Sequence, residues 1–155
     1  MLELIIQREY MDLFGQRYRG YTMDWTVQEQ YQTFIFKILE IPKIVDGDTV
    51  DLVLDLGFNI HIKRRFRLKG YDAPETWRPK NKKEKEAGER VKQFLTEILE
   101  KQDIDYLRVC VDKKQGKYSR YIGTIYDTFW SKSVNESVKE FIEENHLTKK
   151  ELRND

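Results

Sequence analysis

A chain of 155 residues, 39% hydrophobic and 13% aromatic, is sized and composed for one folded domain with its own core, which argues against extended disorder. No apolar run approaches the roughly 20 residues that a membrane-crossing helix needs, and Glu3, Arg8 and Glu9 stand where a signal peptide would be apolar, so the chain as given is expected to be cytoplasmic, with no membrane partner. The net charge of +1 hides an uneven distribution: between His61 and Lys92 twelve Lys/Arg meet five Asp/Glu, a local +7, whereas residues 127–155 carry five against seven, a local −2.

In chain order, Leu2, Ile6, Tyr10, Leu13 and Phe14 can stripe a short helix that Gly15 and Gly20 break, so residues 1–33 are expected to be an extension with helical character. Ile35 to Val45 reads as a strand interrupted by Pro42. Val50, Leu52, Leu54 and Leu56 alternate with polar residues or Val53, and Ile60, Ile62, Phe66 and Leu68 alternate with His61, Lys63, Arg65 and Arg67. This period of two predicts half-buried strands joined antiparallel through the turn residues Gly57-Phe58-Asn59. Ala87, Val91, Phe94, Leu95 and Ile98 form the stripe of an amphipathic helix, and Ile104 to Val111 and Tyr121 to Tyr126 are two further strands. Ser133 and Glu136 have the spacing of a capping box for a second helix, striped by Val134, Val138, Phe141 and Ile142 and ended by Asn145. Cys110 excludes an intramolecular disulfide and lies in an apolar run, which suits a sheet or core position better than a nucleophile.

Mainly β with helices between and after the strands, this order is that of a five-stranded Greek-key OB barrel with two helices, over residues 34–146, a fold that commonly binds oligonucleotides. Residues 147–155 are expected to be a charged tail.

Three blocks carry chemistry: Asp46-Gly47-Asp48-Thr49, the run Arg67-Leu68-Lys69-Gly70-Tyr71-Asp72-Ala73-Pro74-Glu75-Thr76, and Lys117-Tyr118-Ser119-Arg120. Carboxylates hold hard cations and guanidinium groups clamp phosphate oxygens, so together they describe a phosphodiester-cleaving site. Alone, Asp46–Thr49 reads as an ordinary turn, Arg67 as a solvated strand arginine like Arg65, and the lysines of residues 80–92 as a solvated helix face. An EF-hand is excluded, because counting from Asp46 puts Val50, Asp51 and Gly57 at positions 5, 6 and 12. His61 and His146 belong to no motif and receive no catalytic role.

In this order the three blocks resemble the staphylococcal nuclease (thermonuclease-like) family over roughly Phe36 to Asn145. The resemblance implies the same barrel and a Ca²⁺-dependent nuclease acting on DNA and RNA, with water displacing the 5′-oxygen to leave 3′-phosphate ends. It places the metal on Asp48, Asp72 and the backbone carbonyl of Ala73, with Asp46 and Thr49 around it, and makes Glu75 the general base. Arg67 and Arg120 correspond to the arginines on the scissile phosphate, and Lys117 and Tyr118 to substrate contacts, with unpaired bases able to stack on an exposed tyrosine. A monomer that prefers single strands is expected; the alternative is an OB-fold nucleic-acid-binding module with weak or no catalysis. Two departures stand out: Ser119 replaces the usual Gly, and only ten residues follow Asn145, so the family's third helix and the tyrosines before it are expected to be missing.

Overall fold

A computed structural model of the chain describes residues 7–11, 17–21, 33–112, 120–127 and 132–153. They divide into two compact units, Met1–Thr33 and Phe34–Asp155. In the first, β1 (Gln7–Met11) and β2 (Arg17–Tyr21) form an antiparallel pair with Tyr10 in register with Tyr18 and Glu9 with Arg19. This corrects the helix expected around Tyr10. Strand-favouring tyrosines on both segments outweigh a helical stripe that two glycines already cut.

In the second unit, β3 (Thr33–Asp46), β4 (Thr49–Asp55), β5 (His61–Leu68), β6 (Arg108–Asp112) and β7 (Tyr121–Tyr126) close into a barrel in the order β3-β4-β5-β7-β6. Pro42 does not end β3; the 14-residue strand passes it between register shifts, where the missing N–H costs no ladder bond. Gly57, Phe58 and Asn59 all have positive φ, which turns β4 into β5. Val50, Leu52 and Leu54 on β4 and Phe66 and Leu68 on β5 are buried, as their alternation predicts. The strand expected from Ile104 begins later, at Arg108. Asp103 accepts from the Asp105 N–H at 3.0 Å and draws Ile104–Tyr106 into a 3₁₀ turn first.

Helix α1 (Lys82–Lys101) follows β5, with the Asn81 side chain accepting from the Glu84 N–H at 2.7 Å as its N-cap. It buries Ala87, Val91, Leu95 and Leu99 against the barrel. Helix α2 (Val134–Glu144) has the expected Ser133–Glu136 capping box and ends at Asn145. Its Phe141 ring stacks on Phe94 of α1 with centroids 4.0 Å apart.

Within the stretch expected to be a charged tail, Lys149–Arg153 forms a five-residue helix, α3. Thr148 and Glu151 make the reciprocal capping-box bonds, Glu151 N–H to Thr148 Oγ1 at 3.3 Å and Thr148 N–H to Glu151 Oε2 at 3.2 Å. Leu147 before the cap is buried and Leu152 packs against the core, at the spacing of a hydrophobic staple.

Candidate active site

The turn between β3 and β4 is pressed against its surroundings. A Cβ on Gly47 would lie 2.8 Å from Val91 Cγ1 and 2.9 Å from Ala73 Cβ, so only glycine lets α1 and the loop after β5 close on this turn. The Tyr71 hydroxyl donates to the Gly47 carbonyl at 2.9 Å, and the Leu68 N–H to the Asp48 carbonyl at 2.8 Å. Burial raises the Tyr71 pKa well above its ordinary value, and nearby Asp48 adds to the effect, so the phenol stays a donor.

Asp48, 5% exposed, is held on both oxygens. Oδ1 accepts from Thr49 Oγ1 at 2.8 Å, and Oδ2 accepts from the Ala73 N–H at 3.2 Å and lies 3.0 Å from Arg67 Nη2. The same Arg67 Nη2 donates to Asp72 Oδ1. Desolvation works against the Arg67 charge, but Asp48 and Asp72 outweigh it and raise the guanidinium pKa. Asp46 stands beside this pair; burial first, then the Asp48 charge, push its carboxyl above the usual range, against the Gly47 N–H bond at 2.9 Å.

The loop carrying Asp72 and Glu75 lies against α1 at Gly88. A Cβ there would come within 2.7 Å of the Pro74 carbonyl oxygen and 3.0 Å of Thr76 Cγ2. Asp72 and Glu75 themselves are 57% and 42% exposed, and a residue without any site motif bridges them: Lys149 Nζ donates to Asp72 Oδ1 at 3.0 Å and Glu75 Oε1 at 2.9 Å. Partial burial favours the neutral Asp72 acid, yet Lys149 and Arg67 together hold its carboxyl below the ordinary value.

Of the sequence-predicted residues, Asp46, Asp48, Thr49, Arg67, Asp72, Ala73 and Glu75 are thus gathered by one network, Ala73 through its N–H. Arg120 is half-buried and immediately precedes β7, whose parallel pairing puts Tyr121 beside Phe66 and Ile122 beside Arg67. Lys117, Tyr118 and Ser119 lie outside the described residues. Arg65, expected to be solvated, makes a two-point bond to Asp51 at 2.7 and 3.0 Å.

Sequence reasoning missed Lys149 and Trp77. The Thr148–Glu151 capping box was the legible sign of the first. The second is 78% exposed two residues after Glu75, with the Arg78 guanidinium 4.3 Å from its ring centre.

The donors suit a hard cation: two carboxylates that meet at one guanidinium nitrogen can also meet at a metal ion, and all are oxygens. Among the described residues no three His, Cys, Asp or Glu side chains gather as a metal cage, so water and substrate would fill most of the coordination shell.

A closed five-stranded barrel with its long helix between the third and fourth barrel strands is an OB-fold domain. The chain belongs to the staphylococcal nuclease homologue family, whose model matches residues 65–150, more than half of its length. Membership supports a nuclease-like, nucleic-acid-binding function. No curated protein matches the chain significantly. The match covers Arg67, Asp72, Glu75 and Lys149 but begins after Asp48, which the fold brings to them.

Proposed function

We infer that this protein is a Ca²⁺-dependent phosphodiesterase that hydrolyses DNA and RNA, preferentially in single-stranded segments, and leaves 3′-phosphate ends. The observation that carries the reading is the convergence of Asp48 and Asp72 on one nitrogen of Arg67, with Glu75 tied to Asp72 through Lys149.

Asp48 and Asp72, with the Ala73 carbonyl, would hold the ion. When bound, Ca²⁺ supplies positive charge beside the scissile phosphate. Arg67 Nη2 rests on the two carboxylates until the ion takes them, which orients the guanidinium plane beforehand, and Nε and Nη1 are the nitrogens that would meet phosphate oxygens. Donors fixed beforehand stabilise the charge that grows on those oxygens during attack, and Arg120 would add a second fork. Glu75 Oε1 is engaged by Lys149, so Oε2 is the atom to take the proton from water. The water oxygen bonds to phosphorus, the bond to the 5′-oxygen breaks, and the leaving oxygen takes a proton from solvent. Lys117 and Tyr118 would contact the substrate, and exposed Trp77 offers a ring on which an unpaired base can stack.

Cleavage of a single-stranded DNA oligomer in Ca²⁺, in Mg²⁺ and in chelator tests this. Cleavage in Ca²⁺ that is lost in chelator and in Glu75→Gln is expected, with little turnover in Mg²⁺. Full activity in chelator overturns the mechanism, and oligomer binding without cleavage under every condition assigns the protein to the silent binding modules.

A further inference from the structure

Lys149 reaches the site through a sequence of local devices. At the end of α2 the chain reverses with the Leu147 N–H bonded to the Ile142 carbonyl at 2.9 Å, the His146 N–H to the Glu143 carbonyl at 3.2 Å, and His146 at φ 54°. These are the bonds of a Schellman motif, here with histidine in the left-handed position usually given to glycine. The capping box and the Leu147/Leu152 staple then start α3, and the Asn81 amide, already the cap of α1, donates to the Leu152 carbonyl at 3.0 Å. The result is a lysine whose side chain is 16% exposed, bonded to both Asp72 and Glu75. A surface lysine that merely reached for the nearest acid would not need its backbone fixed at three points.

We propose that Lys149 is a tethered cation that competes with the divalent ion for Asp72 and thereby sets the metal affinity of the site. The inference rests on the reading that Asp72 is a metal ligand. A cation at hydrogen-bond distance and a divalent ion crowd the same carboxylate oxygen with strong repulsion, so an ion that takes Asp72 Oδ1 displaces both Lys149 and Arg67 Nη2 from it, and Lys149 is the competitor that the barrel itself does not hold. The charge of Lys149 then remains at the rim, where Glu75 and an incoming phosphate are its partners.

Calcium titration by calorimetry on the full chain tests the proposal, with cleavage measured in parallel. Lys149→Met keeps the side-chain length without the charge and is expected to bind Ca²⁺ at least tenfold more tightly than wild type. Lys149→Arg keeps a charge and is expected to stay within a fewfold of wild type. Glu151→Ala, which removes the capping box, should tighten binding by a smaller factor because Lys149 is then less well aimed. Equal or weaker Ca²⁺ binding in Lys149→Met overturns the proposal, and if wild type still cleaves in Ca²⁺ the phosphodiesterase reading survives it. Tighter binding in Lys149→Met with no cleavage by either protein supports the competing lysine and removes the nuclease reading. Absence of Ca²⁺ binding in both proteins overturns both.

Discussion

The turn at Asp46–Thr49 and the loop at Asp72–Thr76 supply carboxylates to the same network by opposite means. Asp48 is buried and held by a hydroxyl, a backbone N–H and Arg67, in a turn whose glycine is packed against Val91 and Ala73. Asp72 is exposed and Glu75 half-buried, and the bonds described for their carboxylates come from the side chains of Arg67 and Lys149. The first carboxylate is part of the fold, whereas the others are positioned by cations that a metal ion can displace and that a phosphate can draw away. Under the proposed function the fixed carboxylate would define where the ion sits and the exchangeable ones would let substrate in.

Arg67 touches both regions, so its replacement is expected to have the largest effect. Arg67→Lys keeps the charge but loses the planar fork, so turnover should fall about 10²- to 10³-fold in steady-state kinetics with single-stranded DNA. Gly88→Ala drives a methyl into the Pro74–Thr76 backbone and should displace Glu75, lowering the turnover number about 10²-fold while costing about 1–3 kcal/mol in urea unfolding. Unchanged kinetics would show that the loop tolerates the shift. The two aspartates sharpen the contrast: Asp48→Asn should cost about 1–3 kcal/mol of folding stability, because a buried N–H, hydroxyl and guanidinium lose their charged acceptor. Asp72→Asn should stay within about 1 kcal/mol of wild type. Both should weaken Ca²⁺ binding, and equal stability losses would mean that the fold holds the two carboxylates alike. The smallest effect belongs to Trp77→Ala, expected to raise KM for a single-stranded oligomer about tenfold with turnover unchanged; an unaltered KM would remove the stacking role.

Much of this was legible because local chemistry dictated it. Period-two runs placed β4 and β5, the Ser133-x-x-Glu136 spacing placed α2, and the Gly57–Asn59 turn placed the hairpin. These are decided within a few residues by side-chain alternation and backbone hydrogen bonds. The same locality explains the misses. Around Tyr10 a stripe and a strand propensity compete over a few residues, and pairing with β2 breaks the tie. After Asn145 a capping box was present but short, and five residues form a helix only when leucines dock it on a core.

Composition and spacing were enough for the five-stranded barrel and the helices α1 and α2, because they specify which side chains face the core without specifying distances. Which donors meet depends on long-range packing. Asp48 and Asp72 stand 24 residues apart and join on Arg67 because β4 pairs with β5. Lys149, 77 residues from Asp72, enters because α3 turns back on the N-terminus of α1. Such contacts depend on packing summed over the whole core: the Thr148–Glu151 spacing marks where a helix can start, and only the formed core says which carboxylates Lys149 then meets.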